Sequence, residues 1–282
     1  MLLKRALTVF LFLAICTVVL LLSHYRVGAV LFLLAVNLFV VMGLIEFYRL
    51  SGKKHRVSLF YGVFCGVAYC TLVFFTSANP LLKPPLAPVS LPVAGVILLF
   101  SFFTWRACKG DYRSAIFDFG ALVAGLIFVA WLFAFTIKIN YFFPESRGGS
   151  WWVISLIIIA GGADSFALLF GKAFGKRKFF SRISPSKTVE GFLGGTLCGV
   201  GLGIVCCSAF PLGIRFTQGL LLALILSLIS HLGDLAESIL KRDAGVKDSG
   251  RLPGVGGVLD LMDSGLFAAP VTYFLMKLWF SS

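Results

Sequence analysis

Charge is scarce in this chain: 13% of its 282 residues are Asp, Glu, Lys or Arg, against 59% apolar residues. That shortage excludes a soluble globule, because too few polar groups exist to cover one. No segment is long and polar enough to form a separate soluble domain. Acidic residues are rarer still, 12 against 25 Lys and Arg, for a formal charge of +13. A basic balance can signify nucleic acid, but the cations then cluster on a soluble module. With no such module, no nucleic-acid partner is expected. The seven cysteines form no CxxC pair and no Cys/His group with zinc-ligand spacing. Six of them (Cys16, Cys65, Cys70, Cys198, Cys206 and Cys207) lie in apolar segments and Cys108 in a short loop, so all read as small buried apolar residues. The GxxxxGK[ST] order of a P-loop is missing. There is no internal repeat, and the one biased stretch is the proline-rich NPLLKPPLAP, an extended connector.

What the chain has instead is apolar runs of roughly 18 to 20 residues, each enough to cross about 30 Å of hydrocarbon. Nine spans are expected, near 6–23, 27–46, 57–76, 90–105, 115–136, 151–171, 191–210, 216–240 and 259–280. The first could pass for a signal peptide, but its apolar run is long and further spans follow at once. With the amino end cytoplasmic, nineteen of the 25 Lys and Arg fall in internal segments, and the bias holds at every crossing. The predicted fold class is therefore all-α, a polytopic membrane helix bundle of about nine helices. Eight of the 12 acidic residues follow residue 163. Helices 1–5 (residues 1–150) thus read as scaffold. Helices 6–9 (151–282), with their cytoplasmic loops, read as the chemical part of one integrated domain.

The densest stretch runs from Ser238 to Asp263, SILKRDAGVKDSGRLPGVGGVLDLMD. Lys241, Arg242, Lys247 and Arg251 share it with Asp243, Asp248, Asp260 and Asp263, and its glycines and Pro253 preclude a continuous helix. An ordinary cytoplasmic loop would explain the cations. It would not explain four aspartates among them. Charges so near lipid mark a functional site, and cations for phosphate beside carboxylates for a divalent metal suit phosphate transfer.

Three further constellations lie on the same side. Asp164 sits in an apolar helix after Gly161 and Gly162 and must face the interior and find a cation; a structural ion pair is the plainer alternative. Residues 171–191, GKAFGKRKFFSRISPSKTVEG, carry six cations and the hydroxyls of Ser181, Ser184, Ser186 and Thr188. Lysine point charges, arginine forks and glycine-exposed N–H groups suit a polyphosphate. Topology alone would account for the cations but has no use for the serine, threonine and glutamate of SPSKTVEG. In HLGDLAESILKR, residues 231–242, helical spacing sets His231, Asp234, Glu237, Ser238 and Lys241 on one face. Such a face offers two carboxylates to a metal and a lysine to a phosphate, with His231 read as a packing residue.

These segments carry a resemblance. ISPSKTVEG, GDLAESILKRDAGVKDSGRLPG and GGVLDLMDS resemble the membrane-embedded phosphatidate cytidylyltransferases, the CDP-diacylglycerol synthases, and EFYRL (Glu46 to Leu50) resembles the end of that family's second helix. Val255 and Leu261 depart from the histidine and arginine usual in that pattern, and Leu168 from a tyrosine. The resemblance implies transfer of CMP from CTP to phosphatidic acid, giving CDP-diacylglycerol and pyrophosphate with Mg²⁺; a second cation is allowed for without an identity. It assigns Asp234, Asp260 and Asp263, and after them Asp164 and Glu237, to the metal. Lys241, Arg242 and Asp248 become the catalytic group, with Asp248 as ligand or orienter. Ser184, Lys187, Thr188, Ser238 and Lys247 fall to substrate phosphates.

The implied partners are CTP, phosphatidic acid and the lipid bilayer, with a homodimer open as an assembly, in the inner (plasma) membrane with the site facing the cytoplasm. CDP-alcohol phosphotransferases are a second class, but their DGxxAR motif is missing. A CTP-dependent kinase of a lipid alcohol would reuse the same parts. A transporter would place its charges in broken mid-membrane helices, whereas here nearly all lie at one face.

Overall fold

The computed structural model describes residues 14–51, 59–78, 101–108, 113–143, 148–179, 184, 187–246, 249–250 and 256–280. These residues form helices joined by turns, with one isolated antiparallel bridge between Lys178 and Thr188 and no strand among them. In chain order the helices are α1 (14–22), α2 (Arg26–Leu50), α3 (Leu59–Ala78), α4 (101–108), α5 (Ala115–Asn140), α6 (Gly148–Phe174), α7 (Val189–Ala209), α8 (Phe216–Asp243) and α9 (Val258–Phe280). Seven of them, α2, α3 and α5–α9, are long and apolar enough to cross a membrane. The all-α polytopic expectation holds. Of the expected spans 6–23 and 90–105, the described parts are helical except for the turn at Ser23, and the remaining residues lie outside the described set.

Lipid tails are as apolar as the side chains they would touch, so helices associate in a membrane through close packing and polar contacts. The small residues of α7 serve the first. A Cβ on Gly195 would lie 2.5 Å from the Ala163 carbonyl oxygen of α6, and one on Gly199 would crowd Ala163 of α6 and Ser227 of α8. Gly203 stands in the same relation to Ala223 of α8. One small-residue stripe thus draws α6, α7 and α8 together. On the other flank, Gly43 and Gly66 let α2, α3 and α5 close around Leu44, Val40 and Ala130, all three buried.

Polar contacts tie the remaining joints. At the end of the bundle away from Asp263, the buried Asn140 donates to the Ser23 hydroxyl at 2.9 Å, and the Ser150 hydroxyl lies 2.9 Å from the Asn140 carbonyl oxygen. Midway along α5 a single π turn, Leu126–Trp131, interrupts the α-helical ladder. Its Ala130 carbonyl accepts the thiol of Cys70 at 3.4 Å, so this cysteine does more than fill space. Arg106 and Asp118, 4% and 0% exposed, form a 2.9 Å ion pair that locks α4 onto α5.

The stripe on α7 gives a direct check. Gly195→Val puts a branched side chain against backbone that cannot retreat, at an expected cost of roughly 1–3 kcal/mol. Thermal unfolding of the detergent-solubilised chain should show Tm lowered by several degrees. Gly201, with nothing within 4 Å of its would-be Cβ, is the control: Gly201→Ala should leave Tm unchanged or raise it.

Candidate active site

The last three turns of α8 bring the chemistry together because helical spacing stacks His231, Asp234, Glu237 and Lys241 along one side. α9 can approach that side closely, since Gly233 has no Cβ where the Asp263 backbone oxygen lies, 2.6 Å from the position one would take. The approach seats Asp263 of α9 against α8. Carboxylate oxygens of Asp234, Glu237 and Asp263 come within 4.8 Å of one another. Glu237 is fully buried and Asp263 is 8% exposed.

Most acids of this face have a cationic partner, and Glu237 and Asp260 share one. Lys241 reaches back one turn to Glu237 Oε2 at 2.7 Å and across to Asp260 Oδ1 at 2.5 Å. Asp260 Oδ2 in turn accepts the Ser249 N–H at 3.0 Å and lies 2.9 Å from the Ser249 hydroxyl. Lys187 pairs with Asp234 at 2.9 Å. Asp164 faces His231 Nδ1 at 3.2 Å, and the imidazole lies against the Phe192 ring. Asp164 thus meets a histidine where the sequence called for a cation.

Lys187 is delivered by a hairpin. Thr188 caps α7 by accepting the Gly191 N–H at 3.1 Å, and Glu190 accepts the N–H groups of Lys176 and Arg177 at 3.0 and 3.2 Å. Phe179 N–H to Lys187 O and Val189 N–H to Arg177 O, both 2.9 Å, close the turn. The threonine and glutamate of SPSKTVEG therefore build the loop. Lys172, at the end of α6, and Lys176, Arg177 and Lys178 are exposed. Ser184 lies half-buried in this hairpin, its carbonyl accepting the Lys187 N–H at 3.2 Å.

Of the residues singled out from the sequence, Asp234, Glu237 and Asp263 share one point, and Lys241 and Lys187 border it. Asp260 sits beyond Lys241, and Asp164 sits with His231. Ser238 is half-buried beside Glu237, and Arg242 is exposed, its guanidinium 3.3 Å from the Val246 carbonyl. Lys247, Asp248 and Val255 lie outside the described residues. Two residues to which the sequence assigned no role belong here: Ser249, beside Asp260, and Glu46 of α2, the first residue of EFYRL, whose Oε2 lies 3.0 Å from the Ser249 hydroxyl. An acidic residue at the end of an apolar helix was the available signal for Glu46.

The electrostatics are lopsided. Asp263 is buried with the carboxylates of Asp234 and Glu237 close by, and among the described residues of this cluster two lysines and a histidine face the carboxylates of Asp164, Asp234, Glu237, Asp260, Asp263 and Glu46. Glu237 Oε1 is buried without a hydrogen-bond partner among the described residues. Buried like charges with an oxygen to spare are what a hard divalent cation takes up. Three carboxylate donors and no soft ligand fit Mg²⁺ or a related ion.

The profile of the Cytidylyltransferase family matches residues 3–279. The chain is 39% identical over 163 residues to the phosphatidate cytidylyltransferase of Bacillus subtilis (strain 168), covering 57% of this chain and 60% of that protein. It is 40% identical over 141 residues to the protein of that name in Staphylococcus haemolyticus (strain JCSC1435), 50% of this chain and 54% of the other. To the one in Staphylococcus aureus (strain COL) it is 45% identical over 139 residues, 48% and 53%. The matched stretch therefore spans between half and two thirds of these relatives' length.

The two lysines should differ sharply in stability terms. Lys241→Met strands Glu237 and Asp260, 0% and 11% exposed at the side chain, and should cost roughly 3–5 kcal/mol. Lys187→Met breaks a pair exposed at 22% and 33% and should cost about 0–1 kcal/mol. Thermal melts of the two purified variants in one detergent check the contrast.

Proposed function

Because this chain belongs to the cytidylyltransferase family, we propose that it transfers CMP from CTP to phosphatidic acid, leaving CDP-diacylglycerol in the membrane and releasing pyrophosphate. The observation that carries the reading is the trio Asp234, Glu237 and Asp263, bordered by Lys187 and Lys241 at the end of an apolar bundle. The names of the relatives support the choice of substrates.

The chemistry asks little of a base. A phosphate monoester, with its second pKa near 6, is mostly dianionic at neutral pH. Its oxygen attacks the α-phosphorus of CTP, a P–O bond forms, and the bond to the β-phosphate breaks with its electron pair leaving on pyrophosphate. No proton has to be taken from the nucleophile. The task is to hold two anions together and to bear charge on the leaving group, by position and fixed charge. Lys187 and Lys241 are point charges at two edges of the trio, held there by Asp234 and by Glu237 with Asp260. Asp234, Glu237 and Asp263 would hold Mg²⁺, which when bound offsets phosphate charge. A second cation is part of the proposal without an assigned ligand set. The orientation follows from the cation bias: amino end and site on the cytoplasmic face of the bacterial plasma membrane, where CTP is present.

Labelled CTP, phosphatidic acid and Mg²⁺ with the purified chain in detergent should yield a labelled lipid nucleotide. A phosphorylated lipid alcohol, made when such an alcohol is supplied instead, would replace this reading with a CTP-dependent kinase. Chelation should abolish turnover and Mg²⁺ restore it. Asp263→Asn should cut kcat by roughly a hundredfold or more, since the trio loses a charged ligand, while Tm stays within a few degrees. Wild-type turnover in that variant at saturating Mg²⁺ would remove Asp263 from the metal centre. In a cysteine-free background, a cysteine at Ser77 should react with an impermeant maleimide from outside, and one at Val246 only after the membrane is opened.

A further inference from the structure

Glu46 lies near the end of α2 and is 8% exposed. Its Oε1 accepts the Val258 N–H at 2.9 Å; its Oε2 accepts the Leu259 N–H at 2.9 Å and lies 3.0 Å from the Ser249 hydroxyl. Val258 and Leu259 open α9, so these N–H groups have no partner inside that helix. A carboxylate there also meets the favourable end of the helix dipole. The backbone is folded around it: a Cβ on Gly250 or on Gly257 would collide with the Glu46 carboxylate. Gly256 beside them has φ +92°, a conformation other residues rarely adopt.

Glu46 therefore grips residues on both sides of 251–255, and the grip continues inward. Ser249 has one hydroxyl proton and two carboxylates, Glu46 and Asp260, within 3.0 Å of its oxygen. Its N–H holds Asp260, Asp260 holds Lys241, and Lys241 holds Glu237 of the trio. An unbroken series of polar contacts thus runs from α2 to the trio.

We propose that Glu46 is a positioning residue for the reaction: it clamps Ser249 and the start of α9 to α2, and through Ser249 it sets the orientation of Asp260 and Lys241. The inference rests on the activity proposed above. A plain helix cap would affect stability alone, whereas a positioning residue affects turnover through its neighbours. Misplacement of charged groups by small distances lowers kcat far more than it changes binding of the lipid.

The test uses Glu46→Gln, which keeps size but turns one acceptor into a donor facing N–H groups, then Ser249→Ala and the double variant, all in the full chain. Hydrogen–deuterium exchange at Val258 and Leu259 should accelerate roughly tenfold or more in Glu46→Gln, because those amides lose their acceptor. Each single variant should lose about tenfold or more in kcat, with the KM for phosphatidic acid within about threefold, and the double should be no worse than the poorer single. Unchanged exchange, wild-type kcat, or losses that multiply in the double variant would overturn the proposal. Should Glu46→Gln not fold, Ser249→Ala decides alone: a tenfold loss of kcat upholds the link, and wild-type kcat removes it. If the wild type makes no lipid nucleotide, the reaction reading fails by itself. The exchange arm then still decides the clamp, faster exchange upholding it and unchanged exchange overturning it.

Discussion

Among the described residues, the clustered carboxylates at one end of the apolar bundle outnumber the lysines and histidine paired with them, and most of the local structure follows from that imbalance. Six acids converge there, and a lysine that served only one would leave its neighbour unpaired in a poorly solvated place, which is costly. Lys241 is accordingly shared between Glu237 and Asp260. Lys187 is imported from the turn before α7 to meet Asp234. His231 faces Asp164, and the backbone N–H groups of Ser249, Val258 and Leu259 stand in for further cations. Glu237 Oε1, buried without a hydrogen-bond partner among the described residues, belongs to the trio where an external cation has reason to bind.

Small residues make this gathering possible. Gly233 admits the backbone of α9, Gly250 and Gly257 admit a carboxylate, and the α7 stripe closes α6 and α8 on either side. A bundle packed through larger side chains would hold the helix axes farther apart. Asp263 would then stand beyond reach of Asp234 and Glu237. The same elements therefore provide cohesion without a hydrophobic driving force and set the spacing of the acids.

Much of this was legible in the sequence, for identifiable reasons. Apolar runs near 20 residues give membrane helices almost unaided, since the bilayer imposes length and composition. The three- and four-residue spacing of Asp234, Glu237 and Lys241 reads as one helical face because that periodicity is local. Contacts across helices were not legible. Spacing could not tell that Asp263 joins the trio while Asp260, three residues earlier, turns to Lys241 and Ser249. Thr188 read as a phosphate ligand because the hydroxyl that caps a helix and the hydroxyl that binds an anion belong to the same residue type. Glu46 stood apart, since its partners lie 203 to 213 residues away and no short-range pattern signals such a meeting.

That separation has a consequence for synthesis. Helices emerge from the ribosome in order, and α2 enters the bilayer with an acid whose partners belong to a segment made more than 200 residues later. Until α9 arrives, Glu46 lacks the N–H groups of Val258 and Leu259, and Lys241 lacks Asp260 and has Glu237 of its own helix. Insertion of α9 supplies Asp260, Asp263 and the two N–H groups in a single event. The carboxylate cluster is thus completed only when that helix docks, so the site and the last joint of the bundle are made in the same step.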